Sequence, residues 1–143
     1  MNQVTTTKIV LDECSNQSER KTMSKILTID DDLLFLEVLR EVLEFYGFQP
    51  ISTRNGCLGL QLAQTQMPDL ILCDIKLPGL NGYEVLKALR KNSVTQNIPV
   101  IFLTGEGTNG VCSRARELGA NDCLAKPCIL QDLIQAIQSQ IKN

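Results

Sequence analysis

Leu70-Ile-Leu-Cys73 is an unbroken apolar run, too short for a helix and lacking alternation, and it stops at Asp74. A strand of that kind has to be covered on both faces, which is the situation of a central strand in a parallel sheet. Parallel neighbours need long crossover connections, so the segments around it should alternate between short strands and helices. They do. Lys25-Ile-Leu-Thr-Ile29 is a strand candidate ending in three aspartates, and Leu33 to Tyr46 follows with apolar residues at 33, 36, 39, 43 and 46, a helical period closed by Gly47. Phe48 to Thr53 reads as a second strand, Asn55 opens a helix to about Gln66, and Met67-Pro68-Asp69 makes a turn.

Beyond Asp74, Pro78, Gly79 and Gly82 break the chain before a helix from about Tyr83 to Lys91, with Tyr83, Val85, Leu86 and Leu89 on its apolar side. A fourth strand, Val100-Ile-Phe-Leu103, ends at Thr104-Gly105. A weaker helix covers about Thr108 to Leu118 with Gly119 as its cap, and Cys123-Leu-Ala125 is a short fifth strand leading into Lys126-Pro127. The last helix, about Leu130 to Ile141, is expected to bury Leu130, Leu133, Ile134, Ile137 and Ile141. Five strands alternating with five helices predict an α/β fold with a parallel sheet. Residues 1–23 are polar and aperiodic apart from Ile9-Val10-Leu11, and are expected to form a flexible N-terminal tail, with residues 24–143 forming the domain. Met23 stands where an alternative translation start could lie.

Composition narrows the chemistry. The 143 residues are 43% hydrophobic and 21% charged, globular values for one domain, and a formal net charge of −2 offers no basic field for a phosphate backbone. Histidine is absent, which removes imidazole acid/base catalysis, Ser/His and Cys/His nucleophile pairs and imidazole metal ligands. No apolar run approaches the ~18 residues of a membrane span, and the N-terminus lacks a signal peptide's apolar stretch, so a soluble cytoplasmic protein is expected. The six cysteines, at 14, 57, 73, 112, 123 and 128, include no C-x-x-C pair. They are expected to be reduced thiols acting mostly as small core hydrophobes, the sharper alternative being a redox pair between Cys123 and Cys128.

Ligand sites in open α/β sheets form outside the carboxyl ends of the strands. At those ends stand Asp30, Asp31 and Asp32, then Asp74, Thr104 and Lys126. Taken singly, each aspartate is better read as a helix or loop cap. Taken together, converging carboxylates repel one another unless a cation sits among them, and an all-oxygen site suits Mg2+ completing its shell with a phosphate oxygen. With a lysine to neutralise phosphoryl oxygens, a carboxylate there can act as nucleophile and form an acyl phosphate.

Four motifs in order, Ile-Leu-Thr-Ile-Asp30-Asp31-Asp32, Leu70-Ile-Leu-Cys-Asp74-Ile-Lys-Leu-Pro78-Gly79 with Asn81-Gly82, Phe102-Leu-Thr104-Gly105, and Lys126-Pro127, make the chain from about Lys25 to Ile141 resemble a response-regulator receiver domain of two-component signalling. The resemblance implies a doubly wound, flavodoxin-like (βα)5 sandwich with strand order 2-1-3-4-5. It also implies that Asp74 is the phosphoacceptor and that Mg2+ is held by Asp31, by Asp30 partly through water, by Asp74 and by the Lys76 backbone carbonyl. Asp32 is left as a helix cap. Thr104 matches the hydroxyl that moves to the phosphoryl group, Lys126 the lysine that pairs with it through a cis bond to Pro127, and Gly105 leaves room for the donor. The implied partners are a sensor histidine kinase or histidine phosphotransfer protein and a downstream protein target, with no direct DNA binding and no membrane insertion. With nothing after Ile141 long enough for an output domain, a stand-alone receiver is expected, and with no histidine in the chain the donor histidine must come from a partner or be replaced by a small-molecule phosphodonor.

Two departures stand out. Cys123 occupies the place of the aromatic residue that usually couples hydroxyl movement to the output face, and Cys128 stands where an aromatic often follows Lys-Pro. Lys76 and Glu106 both border the phosphoryl position, so an ion pair between them is expected to shield an acyl phosphate from water. The competing readings are a haloacid-dehalogenase-type phosphatase using Asp30 in a D-x-D motif, which would need a second acidic motif where only Asn121-Asp122 is near, and a non-phosphorylated receiver-fold binding module.

Overall fold

A computed structural model describes residues 23–105 and 110–141. Ten elements alternate along it: β1 (Lys25–Ile29), α1 (Leu33–Phe45), β2 (Gln49–Thr53), α2 (Gly56–Gln66), β3 (Leu70–Cys73), α3 (Gly82–Lys91), β4 (Val100–Thr104), α4 (Val111–Glu117), β5 (Asp122–Ala125) and α5 (Leu130–Ile141). The strands form one sheet in the order β2-β1-β3-β4-β5, every pairing parallel, as the alternation and the resemblance imply.

Period-two alternation divides the core into two layers. Leu27, Ile29, Ile71, Cys73, Val100 and Phe102 point to one face and pack with Ala63 of α2, Val85, Leu86 and Leu89 of α3 and Ala115 of α4. Ile26, Leu70, Leu72, Ile101 and Leu103 point to the other and pack with Leu39 and Leu43 of α1 and Leu133, Ile134 and Ile137 of α5. Strands β3 and β4 are buried at every position, which is why their sequence shows no alternation.

The helix ends follow local chemistry. Asp32 caps α1 by accepting from the Phe35 N–H at 3.2 Å, as expected, and Asn55 caps α2 in the same way through Leu58. Asn81 and Glu84 form a reciprocal capping box on α3. Gly82 has to be glycine: a Cβ there would run into the Asp74 carbonyl oxygen and lie 2.6 Å from the Ile75 Cα.

Three details differ from the sequence expectations. Leu33, Tyr46 and Leu130 carry the helical period but are 52%, 41% and 42% exposed. A 13-residue α1 spans about 20 Å against about 17 Å for a five-residue strand, so its apolar stripe outruns the sheet at both ends. Ala136 is buried in α5 where Leu130 was expected. The cysteines are not all free thiols, because Cys112 and Cys123 form a disulfide, while Cys128 is free and cannot be the partner of Cys123. Cys73 does behave as a buried hydrophobe.

Candidate functional site

The sheet register sets Asp30, Asp74 and Lys126 one step past their strands and Thr104 at the last position of its own. Ile29 pairs with Cys73, so Asp30 and Asp74 emerge side by side, and the Asp74 N–H continues the ladder by donating to the Ile29 carbonyl at 2.9 Å. At the other side Thr104 pairs with Ala125, and the Lys126 N–H donates to the Thr104 carbonyl at 2.8 Å. Parallel pairing therefore gathers the ends of β1, β3, β4 and β5 on one rim of the sheet.

Lys126 is the hub of that rim. Its Nζ lies 2.9 Å from Asp30 Oδ2 and 3.6 Å from Asp74 Oδ2. The peptide bond that follows, Lys126-Pro127, is cis, as the resemblance implied. Carboxylate oxygens of Asp30, Asp31 and Asp74 all lie within 4.8 Å of one another. Asp30 and Asp74 are buried, at 3% and 8% exposure, Thr104 is fully buried, and Asp31 is exposed. Asp30 Oδ1 accepts from the Asp32 N–H at 2.9 Å and Asp74 Oδ1 from the Lys76 N–H at 3.3 Å, so one oxygen of each carboxylate is held by backbone. A Cβ on Gly105 would meet nothing within 4 Å.

The electrostatics are those of a site short of positive charge. Burial, with the charge of Asp30 added, raises the Asp74 carboxyl above its ordinary pKa despite the opposing pull of Lys126. Burial disfavours the ammonium of Lys126, but the hydrogen bond to Asp30 and the charges of Asp30, Asp74 and Asp32 outweigh it, and its pKa rises. Beneath the rim, burial and then the neighbouring Asp74 and Asp30 push the Cys73 thiol far up, so it stays protonated and donates to the Asp74 carbonyl at 3.1 Å. Three clustered carboxylates facing one lysine are an oxygen donor set suited to a hard divalent cation, and the residues present fit Mg2+.

Two contributors carry no motif in the sequence. The Phe35 ring, in the first turn of α1, lies 4.4 Å from Lys126 Nζ and forms a cation-π contact. Arg54, immediately after β2, donates through Nε and Nη2 to the Asp31 carbonyl at 3.1 and 3.0 Å, fixing the acidic loop from the neighbouring strand. Helix phase and strand order together could have found both. Glu106 lies outside the described residues, and so does its expected pairing with Lys76.

The sequence pattern described as the response regulator receiver domain matches residues 26–138. The chain belongs to that family. The receiver is 35% identical over 116 residues to the polar-differentiation response regulator DivK of Brucella anthropi, covering 81% of this chain and 94% of that one. It is 40% identical over 121 residues to a transcriptional regulatory protein CpxR homolog of Haemophilus influenzae, covering 85% of this chain but spanning only about half (52%) of that relative. Among solved structures, a putative response regulator from Chloroflexus aurantiacus superimposes with a TM-score of 0.81 at 32% identity, covering 85% of the receiver and 99% of that chain. The receiver domain of sensor histidine kinase PA1611 from Pseudomonas aeruginosa, solved with magnesium coordinated in its active-site cleft, gives 0.78 at 28% identity, covering 85% and 99%. Aspartate phosphorylation, Mg2+ and exchange with histidine kinases or phosphotransfer proteins are general features of such receivers. Family membership takes the place of the haloacid-dehalogenase reading. No described helix is long and apolar enough to cross a membrane.

Proposed function

We propose that this receiver accepts a phosphoryl group on Asp74 from a histidine kinase or histidine phosphotransfer protein and signals through contact with a downstream protein. The observation that carries the reading is the clustering of Asp30, Asp31 and Asp74 at the strand ends, with Lys126 bridging Asp30 and Asp74. Asp30, Asp31, Asp74 and the Lys76 carbonyl would hold Mg2+, as the PA1611 receiver holds magnesium in its cleft. When bound, the ion supplies positive charge to the phosphoryl oxygens.

Asp74 Oδ2, the oxygen not held by backbone, attacks phosphorus in line as the donor's P–N bond breaks, and the donor imidazole leaves with the electron pair. Lys126 turns from two carboxylates to the incoming phosphoryl oxygens and neutralises them. The Thr104 hydroxyl donates to the same group, and Gly105 leaves the donor's approach open. The phosphoryl group carries roughly −1.5 to −2 where the carboxylate it replaces carried −1, and this larger, displaced charge then biases the surface of α4, β5 and α5 toward its target. A cytoplasmic location and the absence of direct DNA contact are part of the proposal, the latter supported by the net charge of −2.

The test is incubation with Mg2+ and acetyl phosphate, followed by intact mass and peptide mapping. One phosphoryl group on Asp74, absent from Asp74→Asn and without Mg2+, supports the reading; turnover of phosphomonoesters or no labelling overturns it.

A further inference from the structure

We propose that Cys112 and Cys123 form a thiol/disulfide switch that pins α4 to β5 when oxidised and frees it when reduced. In its regulatory part, that α4 is the element the phosphoryl group moves, the inference rests on the receiver reading above.

The bridge joins the first turn of α4 to the edge strand, across Cα atoms 5.4 Å apart and eleven residues in sequence. Cys123 pairs with Phe102 of β4 and lies three residues before Lys126, so the pinned point sits on the strand that leads into the hub of the site. Little else fixes α4. It has seven residues, starts at Gly110 without a side-chain cap bond, and buries only Ala115 fully. A helix this short has no stability of its own and takes its position from what holds it. Among the described residues its other ties are exposed or partial: the half-buried Val111 against the core, an Arg116–Asp122 ion pair at 3.2 Å, a hydrogen bond from Tyr83 Oη to the Val111 carbonyl at 3.2 Å, and the Arg114 guanidinium 5.1 Å from the Tyr83 ring. These survive reduction, so opening the bridge loosens α4 without unfolding the sheet. The cysteine at the position of the family's moving aromatic thus replaces a ring that swings with a bond that opens.

The chemistry balances with a dithiol reductant. Cys112 is partly exposed whereas Cys123 is buried at 6% exposure, so the donor thiolate attacks Cys112 Sγ. The Cys112–Cys123 bond breaks, and Cys123 leaves as a thiolate and takes up a proton. The donor's second thiolate then attacks its own bridged sulfur, releasing Cys112 as the second thiol and leaving the donor as a disulfide, oxidised by two electrons. A disulfide oxidant runs the sequence backward.

The test uses the full chain, air-oxidised or reduced with dithiothreitol. In urea without reductant, the free thiols among the described residues, Cys57, Cys73 and Cys128, should alkylate, while Cys112 and Cys123 should appear as one linked peptide that opens only on reduction. Amide exchange across residues 111–117 should be at least about threefold faster in the reduced protein and in Cys112→Ala, whose altered residue is half-buried on α4, than in the oxidised protein. Adding Mg2+ and acetyl phosphate should change α4 exchange further in the reduced form and not in the bridged one. Alkylation of Cys112 and Cys123 in the oxidised protein, or equal α4 exchange in both redox states, overturns the proposal. If Asp74 takes no phosphoryl group in either state, the receiver reading fails, and the switch stands or falls on the first two measurements.

Discussion

Lys126 bridges Asp30 and Asp74, and it is the one cation that this cluster faces at salt-bridge distance among the described residues. Lys126→Met leaves two buried carboxylates opposed, and urea unfolding without divalent ions should show a loss of about 2 kcal/mol, with part of it regained on adding Mg2+. Asp74→Asn does the reverse. Burial and Asp30 already disfavour the Asp74 carboxylate, so removing its charge should leave the protein at least as stable as the parent in the same measurement while abolishing labelling by acetyl phosphate. At this scale the sequence was most legible where a polar residue ends an apolar run: Asp30 and Asp74 each follow a strand, Thr104 closes one, and all three land where that placement implies. Phe35 and Arg54 escaped because nothing in their own neighbourhood marks them. Their partners, Lys126 and the Asp31 carbonyl, lie 91 and 23 positions away and meet them only through the strand order.

Each helix is placed by its caps and by one apolar stripe, and its connections are tight where they approach the site. Gly82→Ala adds helix propensity worth about 1 kcal/mol, yet its new Cβ meets the backbone of Asp74 and Ile75, which cannot yield as a side chain can. The backbone contact wins: thermal and urea unfolding should show a net loss of about 2 kcal/mol or more, together with slower phosphorylation, because the displaced backbone belongs to Asp74. Reduction of the Cys112–Cys123 bridge should cost about 2 to 3 kcal/mol on the loop-entropy argument, read as a fall in urea midpoint that Cys112→Ala reproduces without reductant. Periodicity and end signals identified every described helix, but a repeat reports a helix face and not the length of sheet beneath it, so Leu130, expected to be buried, is exposed, as are Leu33 and Tyr46 at the ends of their stripe. The disulfide was illegible for a related reason. Six cysteines allow many pairings, and only the packing of α4 on β5 selects Cys112 for Cys123.

For the molecule as a whole, β1 and β3 carry the acidic ligands and β5 leads into the lysine, so a cation held at the rim ties separate strands together. Mg2+ at about ten times its dissociation constant should raise unfolding free energy by roughly 1.4 kcal/mol, and Asp31→Asn, at an exposed position, should remove that gain with little change in Mg2+-free stability. The fold class was readable early because the fully buried central strands leave unbroken apolar runs between helical segments, whereas the strand order came from the family resemblance. The same burial has one more consequence. Strands β3 and β4 admit no solvent along their length, and both layers of helices close over them. Water and phosphodonor therefore reach Asp74 through the same opening. A receiver built this way cannot lengthen its signal by sealing the site without also slowing its own charging, so its timing is written in the few loop side chains around that mouth, and neighbouring receivers with the same core are free to keep very different time.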